Sequence, residues 1–322
     1  MDLNKESSLK NWIPLRLILD QQEPLVEWFF VGKKPFTEPF FEDTVSAIKR
    51  ESGKKKSFRS VSSIDMMLEW SFQMKTASPA ALIFHVSRCG STLLSQMLSL
   101  DPANIVLSET PFFDDLLRMS LKNSRRKAGD CTKYLLAAMR FYGQKRTPHQ
   151  QYLFVKTDSW HLHFYESLRE TFPGIPFILL YREPGAVLRS QQQSRGMHAV
   201  PGMIEPELFQ FSAIEYNLDQ HLANVLYSYY AKMIDIVSQD PHSFLFNYRD
   251  GIPNLVNKLY NSTDRQINTQ LQEQHKLRSQ YNAKVPAKPF LQEGNDKIAT
   301  ILLPAFELYQ QLYEIGKERG YK

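Results

Sequence analysis

The chain has 322 residues, 43% of them hydrophobic and 23% charged, with 39 basic against 34 acidic side chains and a net charge of +5. These are ordinary globular proportions: no apolar run reaches the roughly 18 residues a membrane helix needs, and two cysteines are too few for a disulfide framework. The modest basic excess suits an anionic small molecule as well as a polymer.

The chain opens on "MDLNKESSLKNW", which is polar and lacks the apolar centre of a signal peptide, so a reducing cytoplasm is the expected location. Residues 1–78 read as a small N-terminal module packed through Trp28, Phe29, Phe30, Phe40 and Phe41, with a helix near Ser63 to Met74. A mini-core is preferred there to a binding face. The basic clusters Lys54-Lys55-Lys56, Arg125-Arg126-Lys127 and Lys145-Arg146 carry no interleaved aromatics and are read as solvated faces or loops, without a nucleic-acid partner.

From Pro79 onward short apolar runs alternate with helical periodicity. The strand candidates are 81–87, 104–109, 152–158, 176–183 and 243–250, and a long helix is predicted from about Ile214 to Val237. This predicts an α/β fold over 79–322, three-layered around a central parallel sheet, with ligands at the carboxyl ends of the strands.

The first of those strand ends carries Ser87-Arg88-Cys89-Gly90-Ser91-Thr92, followed by "LLSQMLSL", whose Leu93, Leu94, Met97 and Leu98 share a helical face. A strand, a glycine turn and a helix start cradle an anion through backbone amides and the helix dipole. Ser91 and Thr92 add hydroxyls, Arg88 adds charge from the other side of Gly90, and Cys89 fills a place for a small residue. The Walker A pattern fails at His85 and Ser91, which stand where its first glycine and its lysine belong. A plain helix N-cap with Gly90 serving only the turn remains the alternative. The strand ending at Tyr181 runs into Arg182-Glu183-Pro184, with Ser190 eight residues after Arg182, a spacing that can set a guanidinium and a hydroxyl around one phosphate.

"SRCGSTLL" and the Arg182…Ser190 pair together resemble the two nucleotide-binding elements of the sulfotransferase family, and the "HVSRCGSTLL" loop is similar to that of bacterial sulfotransferase-like proteins. The resemblance covers roughly residues 80 to 260 and includes "SFLFNYRD" with the helix after it. It implies a P-loop-like sulfotransferase fold and, as donor, 3'-phosphoadenosine 5'-phosphosulfate (PAPS), leaving 3',5'-adenosine bisphosphate (PAP). It further implies that Arg88, Cys89, Gly90, Ser91 and Thr92 hold the phosphosulfate, and that Arg182 and Ser190 hold the 3'-phosphate. Arg88 would take over the cationic role of the missing lysine, no metal is expected, and the acceptor would be a small hydroxylated molecule.

Many family members place a histidine after a Lys-Thr pair at the tip of the third strand; here Lys156-Thr157 is followed by Asp158, with His161 one turn on. Asp158 is the base, or it orients His161 as the base, or it caps the helix beginning "SWHLHFYESL". Lys156 is a candidate for stabilising the bridging oxygen, and Glu109, ending the second strand, is a fourth catalytic candidate or a helix-start acid. His85 is read as a satisfied buried histidine. His161 and His163, two apart on a helix, make a poor metal pair. Residues 194–206 read as a loop over the cleft or a connector, and "RSQYNAKVPAKPF" offers Arg278, Lys284 and Lys288 for the donor without the family's glycine pattern. The rival readings are a P-loop kinase, or a nucleotide-binding protein that kept the fold without catalysis.

Overall fold

The computed structural model describes residues 9–19, 23–51, 60–122, 130–281 and 298–319. Lys54-Lys55-Lys56, Arg125-Arg126-Lys127, Lys284 and Lys288 lie outside the described residues. Three antiparallel strands, β1 (Trp12–Ile18), β2 (Leu25–Phe30) and β3 (Ser60–Ser63), form one sheet in the order β1-β2-β3. A central parallel sheet has the order β5-β6-β4-β7-β8, from β4 (Ser78–His85), β5 (Asn104–Ser108), β6 (Tyr152–Lys156), β7 (Phe177–Tyr181) and β8 (Ser243–Asn247). The α/β class is the one expected from the alternating pattern. With β4 flanked by β6 and β7, the chain leaves the centre in both directions, the arrangement that opens a crevice at the strands' carboxyl ends.

All five predicted strands of that sheet are present, and each ends sooner than the sequence suggests. Ser87, Arg88 and Glu109 adopt left-handed backbone, with φ of 64°, 51° and 53°, which no strand tolerates. Asp158 leads into a 3₁₀ turn over Ser159–Phe164, and Tyr248–Asp250 form another. The polar tips are turn residues, indistinguishable from strand by composition alone.

The described residues fall into two compact units. The first comprises those within Met1–Ala80, Leu98–Val155 and Ser167–Pro173. Val26 and Trp28 on one face of β2 are buried, whereas Phe30, in phase with them at the strand's last residue, is 50% exposed, so the aromatic cluster of the module does not close on itself. Trp28 instead meets Phe141 edge-on at 4.7 Å and donates from Nε1 to Ser62 Oγ at 2.9 Å. Phe41 meets Tyr142 edge-on at 5.8 Å. Both partners belong to the helix Asp130–Tyr142, which therefore shares the module's core. The predicted helix near 63–74 spans Ile64–Ser71, capped by Ser63 Oγ accepting from Met66 N.

The second unit comprises the described residues within Ala81–Met97, Lys156–Glu166 and Gly174–Lys322. Its long helix runs Leu218–Gln239, four residues later than expected, because Asn217 Oδ1 accepts from Asp219 N and Gln220 N and sets the start. Tyr229 and Tyr230 on this helix are fully buried. The helix Leu303–Glu318 brings Tyr309 to 5.7 Å from Tyr181, with Asn247 Nδ2 donating to the Tyr309 hydroxyl at 3.1 Å. The helix Thr269–Ser279 is tied to Ser91–Ser99 by His275 Nε2 donating to Met97 O at 3.0 Å. No helix among the described residues is long and apolar enough to cross a membrane.

Candidate active site

The three segments that follow β4, β6 and β7 all lie in the second unit, and their side chains interlock. In the first, Gly90 has φ +83°, and a Cβ there would lie 2.8 Å from two Tyr248 ring carbons and 2.9 Å from Ile252 Cδ1. Only glycine satisfies both the dihedral and the space. Gly90 O accepts from Leu94 N at 3.0 Å, opening the helix Ser91–Ser99; Ser91 and Thr92 thus supply the first-turn amides that face anions at helix starts. Ser91 and Thr92 are 4% and 5% exposed. Consecutive left-handed residues at Ser87 and Arg88 are the kind of backbone strain that collects at binding loops.

His85 is a satisfied buried histidine. Its Nδ1 accepts from Ser87 N at 3.0 Å, which leaves Nε2 to carry the proton it donates to Thr157 O at 2.9 Å; Ser159 Oγ lies 3.1 Å from Nδ1. One ring thereby ties the loop after β4 to the segment after β6.

In that second segment Lys156 is 1% exposed, and its Nζ donates to Thr92 Oγ1 at 3.4 Å. Asp158 occupies the N-cap position of the turn Ser159–Phe164. Asp158 N donates to His161 Nδ1 at 3.3 Å, so His161 Nε2 is protonated, and it faces Asp158 Oδ2 at 3.6 Å. The His161 side chain is 1% exposed. Both of its nitrogens thus serve Asp158, whose carboxylate is the more accessible of the two.

In the third segment Arg182 Nη1 donates to Arg88 O at 2.8 Å, and its guanidinium stacks 4.6 Å from the Tyr248 ring centroid. Glu183 caps the helix Pro184–Gln193, accepting from Gly185 N and Ala186 N at 2.8 and 2.7 Å. Ser190 is half-buried on this helix. The neighbouring Gln191 is fully buried: it donates to Ser87 Oγ at 3.1 Å and accepts from Gly196 N at 2.8 Å. The Arg88 guanidinium donates to Ser194 O. The 194–206 loop is consequently anchored at its start to the loop after β4, and His198 and Ala199 within it are buried.

Cys89 turns inward. Its thiol is buried against Leu180 O at 3.5 Å and burial pushes it up to about 11, so only its backbone is available to an anion. Glu109 belongs to the first unit, apart from the other candidates in the chain's division. Arg278 donates to Gln96 Oε1 on the helix Ser91–Ser99.

Three contributors carry no signal in the sequence: Gln191, Tyr248 and Tyr229. Tyr229 is fully buried against His163, His198 and Phe209, with ring centroids 5.6 to 6.0 Å away, and its hydroxyl has no partner among the described residues. Burial first, and the Asp158 carboxylate second, hold this phenol well above its ordinary range. His163 is held neutral by burial, down to about 4, helped by Lys232.

Residues 79–232 match the model of the sulfotransferase family, a span that contains all three segments. No curated protein matches the chain. Among solved structures, the sulfotransferase domain from the Synechococcus PCC 7002 olefin synthase is 15% identical, covering 74% of this chain and 96% of its own, with a TM-score of 0.45. Sulfotransferase STF9 from Mycobacterium avium is 12% identical, covering 77% and 80%, with a TM-score of 0.46.

Proposed function

We propose that the protein is a cytoplasmic transferase that moves a sulfuryl group from PAPS to a hydroxyl of a small-molecule acceptor, a reading supported by the match of residues 79–232 to the sulfotransferase-family model. The observation that carries this reading is the hydrogen bond from Arg182 Nη1 to Arg88 O. It joins the phosphosulfate loop to the Arg182 and Ser190 element, so one nucleotide can engage both. The loop's geometry fits such a donor: Gly90 admits no side chain, and the amides of Ser91 and Thr92 begin a nine-residue helix.

In the transfer, the S–O bond to the donor phosphate breaks as an S–O bond to the acceptor forms, and the acceptor's hydroxyl proton passes to Asp158. Asp158 is the base because its carboxylate is partly accessible, at 13% exposure, while His161 is enclosed. His161 is a positioning residue, holding the Asp158 backbone and facing its carboxylate. Lys156, beside Thr92, offsets charge growing on the oxygen the sulfuryl group leaves. Gly90, Ser91 and Thr92 hold the phosphosulfate, with Cys89 contributing backbone, and Arg88 brings a second cation from the far side of Gly90. Arg182 and Ser190 hold the 3'-phosphate.

The test is calorimetric titration with PAP, with ATP plus magnesium as comparator and Arg182→Ala as control, followed by transfer of labelled sulfate from PAPS. PAP binding in the micromolar range, weakened at least about tenfold in the variant, is expected. Binding of ATP but not PAP overturns the reading in favour of kinase chemistry. PAP binding without transfer to any hydroxylated acceptor marks a nucleotide-binding protein without catalysis.

A further inference from the structure

Arg146 belongs to the basic pair that the sequence assigns to a solvated face; the structure reverses this. It is 6% exposed, and neither Nη1 nor Nη2 has a hydrogen-bond partner among the described residues. Its guanidinium lies 4.3 Å from the Phe36 ring centroid. Burial pulls this cation down to about 10.

Stacking on Phe36 covers a face of the guanidinium, but its N–H donors lie in the plane and point past the ring. A buried ion left without a partner is among the costliest arrangements a fold can hold, and native structures keep few. The placement is built rather than loose. Arg146 N and Thr147 N both donate to Gln150 Oε1, at 2.8 and 3.2 Å, and Lys145 N donates to Lys75 O at 3.0 Å. Phe36 in turn stacks on Phe41 at 5.7 Å. Beside these rings is a narrow hollow lined also by Thr44, Val106 and Ser108, with Glu38 exposed at its rim. Thr44 is 1% exposed and its Oγ1, too, has no partner among the described residues.

We propose that the first unit holds a small oxyanion on the in-plane donors of Arg146, a site separate from the one that carries Arg88 and Arg182. Carboxylate, phosphate and sulfate share the paired oxygens that a guanidinium fork takes bidentately, whereas chloride does not. The role is binding, with no chemistry on the anion.

The experiment titrates the full-length protein calorimetrically with sodium acetate, phosphate and sulfate, each against sodium chloride at equal ionic strength, for wild type and Arg146→Met. At least one oxyanion gives a saturable heat in wild type that Arg146→Met lacks. That anion raises the wild-type Tm by about 5 °C at a hundred times its Kd. Sulfate and phosphate also stabilise proteins generally by exclusion from the surface, so only the difference between the two proteins counts. Removing an unpartnered buried charge favours folding of the methionine variant in chloride. Should it fail to fold, Arg146→Lys, which keeps the charge and loses the fork, binds at least about tenfold more weakly. No saturable heat in wild type, or equal heats in wild type and variant, overturns the proposal.

Discussion

A Cβ on Gly90 would meet Cδ2 and Cε2 of Tyr248 at 2.8 Å, and the same Tyr248 ring carries the Arg182 guanidinium 4.6 Å from its centroid. The loop, the ring and the arginine are therefore one packed stack. Gly90→Ala places a side chain at φ +83° and drives it into that stack. The dihedral alone costs about 1–2 kcal/mol, and relief of the clash displaces Tyr248 and with it Arg182. We expect a lower Tm and at least about tenfold weaker PAP binding. Calorimetry on the folded variant separates the two effects.

Lys156 is buried at the head of the helix Ser91–Ser99, beside Thr92 Oγ1. In Lys156→Met, an apolar chain of similar length fills the space while Thr92 Oγ1 loses its donor, so stability falls by about 1 kcal/mol. Sulfuryl transfer falls about 10²–10³-fold, the range seen when one charge-stabilising group is removed. Thermal unfolding and turnover at saturating acceptor, run side by side, check both halves; normal turnover removes Lys156 from the mechanism.

Asp158 and His161 separate by what their replacements preserve. Asparagine caps a helix as well as aspartate, so Asp158→Asn keeps stability while turnover drops about 10²–10⁴-fold. Glutamine at the third position of a capping box also reaches the cap's backbone amide. His161→Gln accordingly retains the fold and most PAP affinity, and lowers turnover less than Asp158→Asn does. The reverse pattern, with His161→Gln inactive and Asp158→Asn active, makes His161 the base.

His163 packs on Tyr229 and Phe209, and Ser228 Oγ lies 3.2 Å from its Nε2. Burial lowers it from 6.5 to about 4. Its folded value lies below its unfolded one, so the unfolded chain takes up more protons in between. Stability is then full above pH 6.5 and falls as the pH drops towards 4. Between pH 7 and 5 this one group accounts for a loss of about 2 kcal/mol. Urea unfolding of wild type and His163→Phe at both pH values measures it: the variant loses that much less.

The strands from β4 to β8, the glycine turn and the Arg182 to Ser190 spacing were legible because each is a local pattern, a run or interval of about ten residues or fewer. The ends of the strands were not, since Ser87, Glu109 and Asp158 are polar in either conformation and only the dihedral separates turn from strand. Nor were the contacts that the cations at the loop make. Arg88, read as the replacement for the missing lysine, donates to Ser194 O, while Lys156, 64 positions from Thr92, reaches the helix start.

By itself, then, the sequence determined the order of elements and the motif spacing by which residues 79–232 match the sulfotransferase-family model, because hydrophobic period and residue spacing are properties of neighbours along a chain. Tertiary structure alone decided which charges are enclosed and what they face. Lys145-Arg146 reads as one solvated pair, yet Arg146 is 6% exposed over Phe36, 110 residues earlier in the chain. Burial is set by packing between distant segments, and desolvation, which governs the behaviour of Arg146, Cys89 and His163, follows from burial and not from residue type.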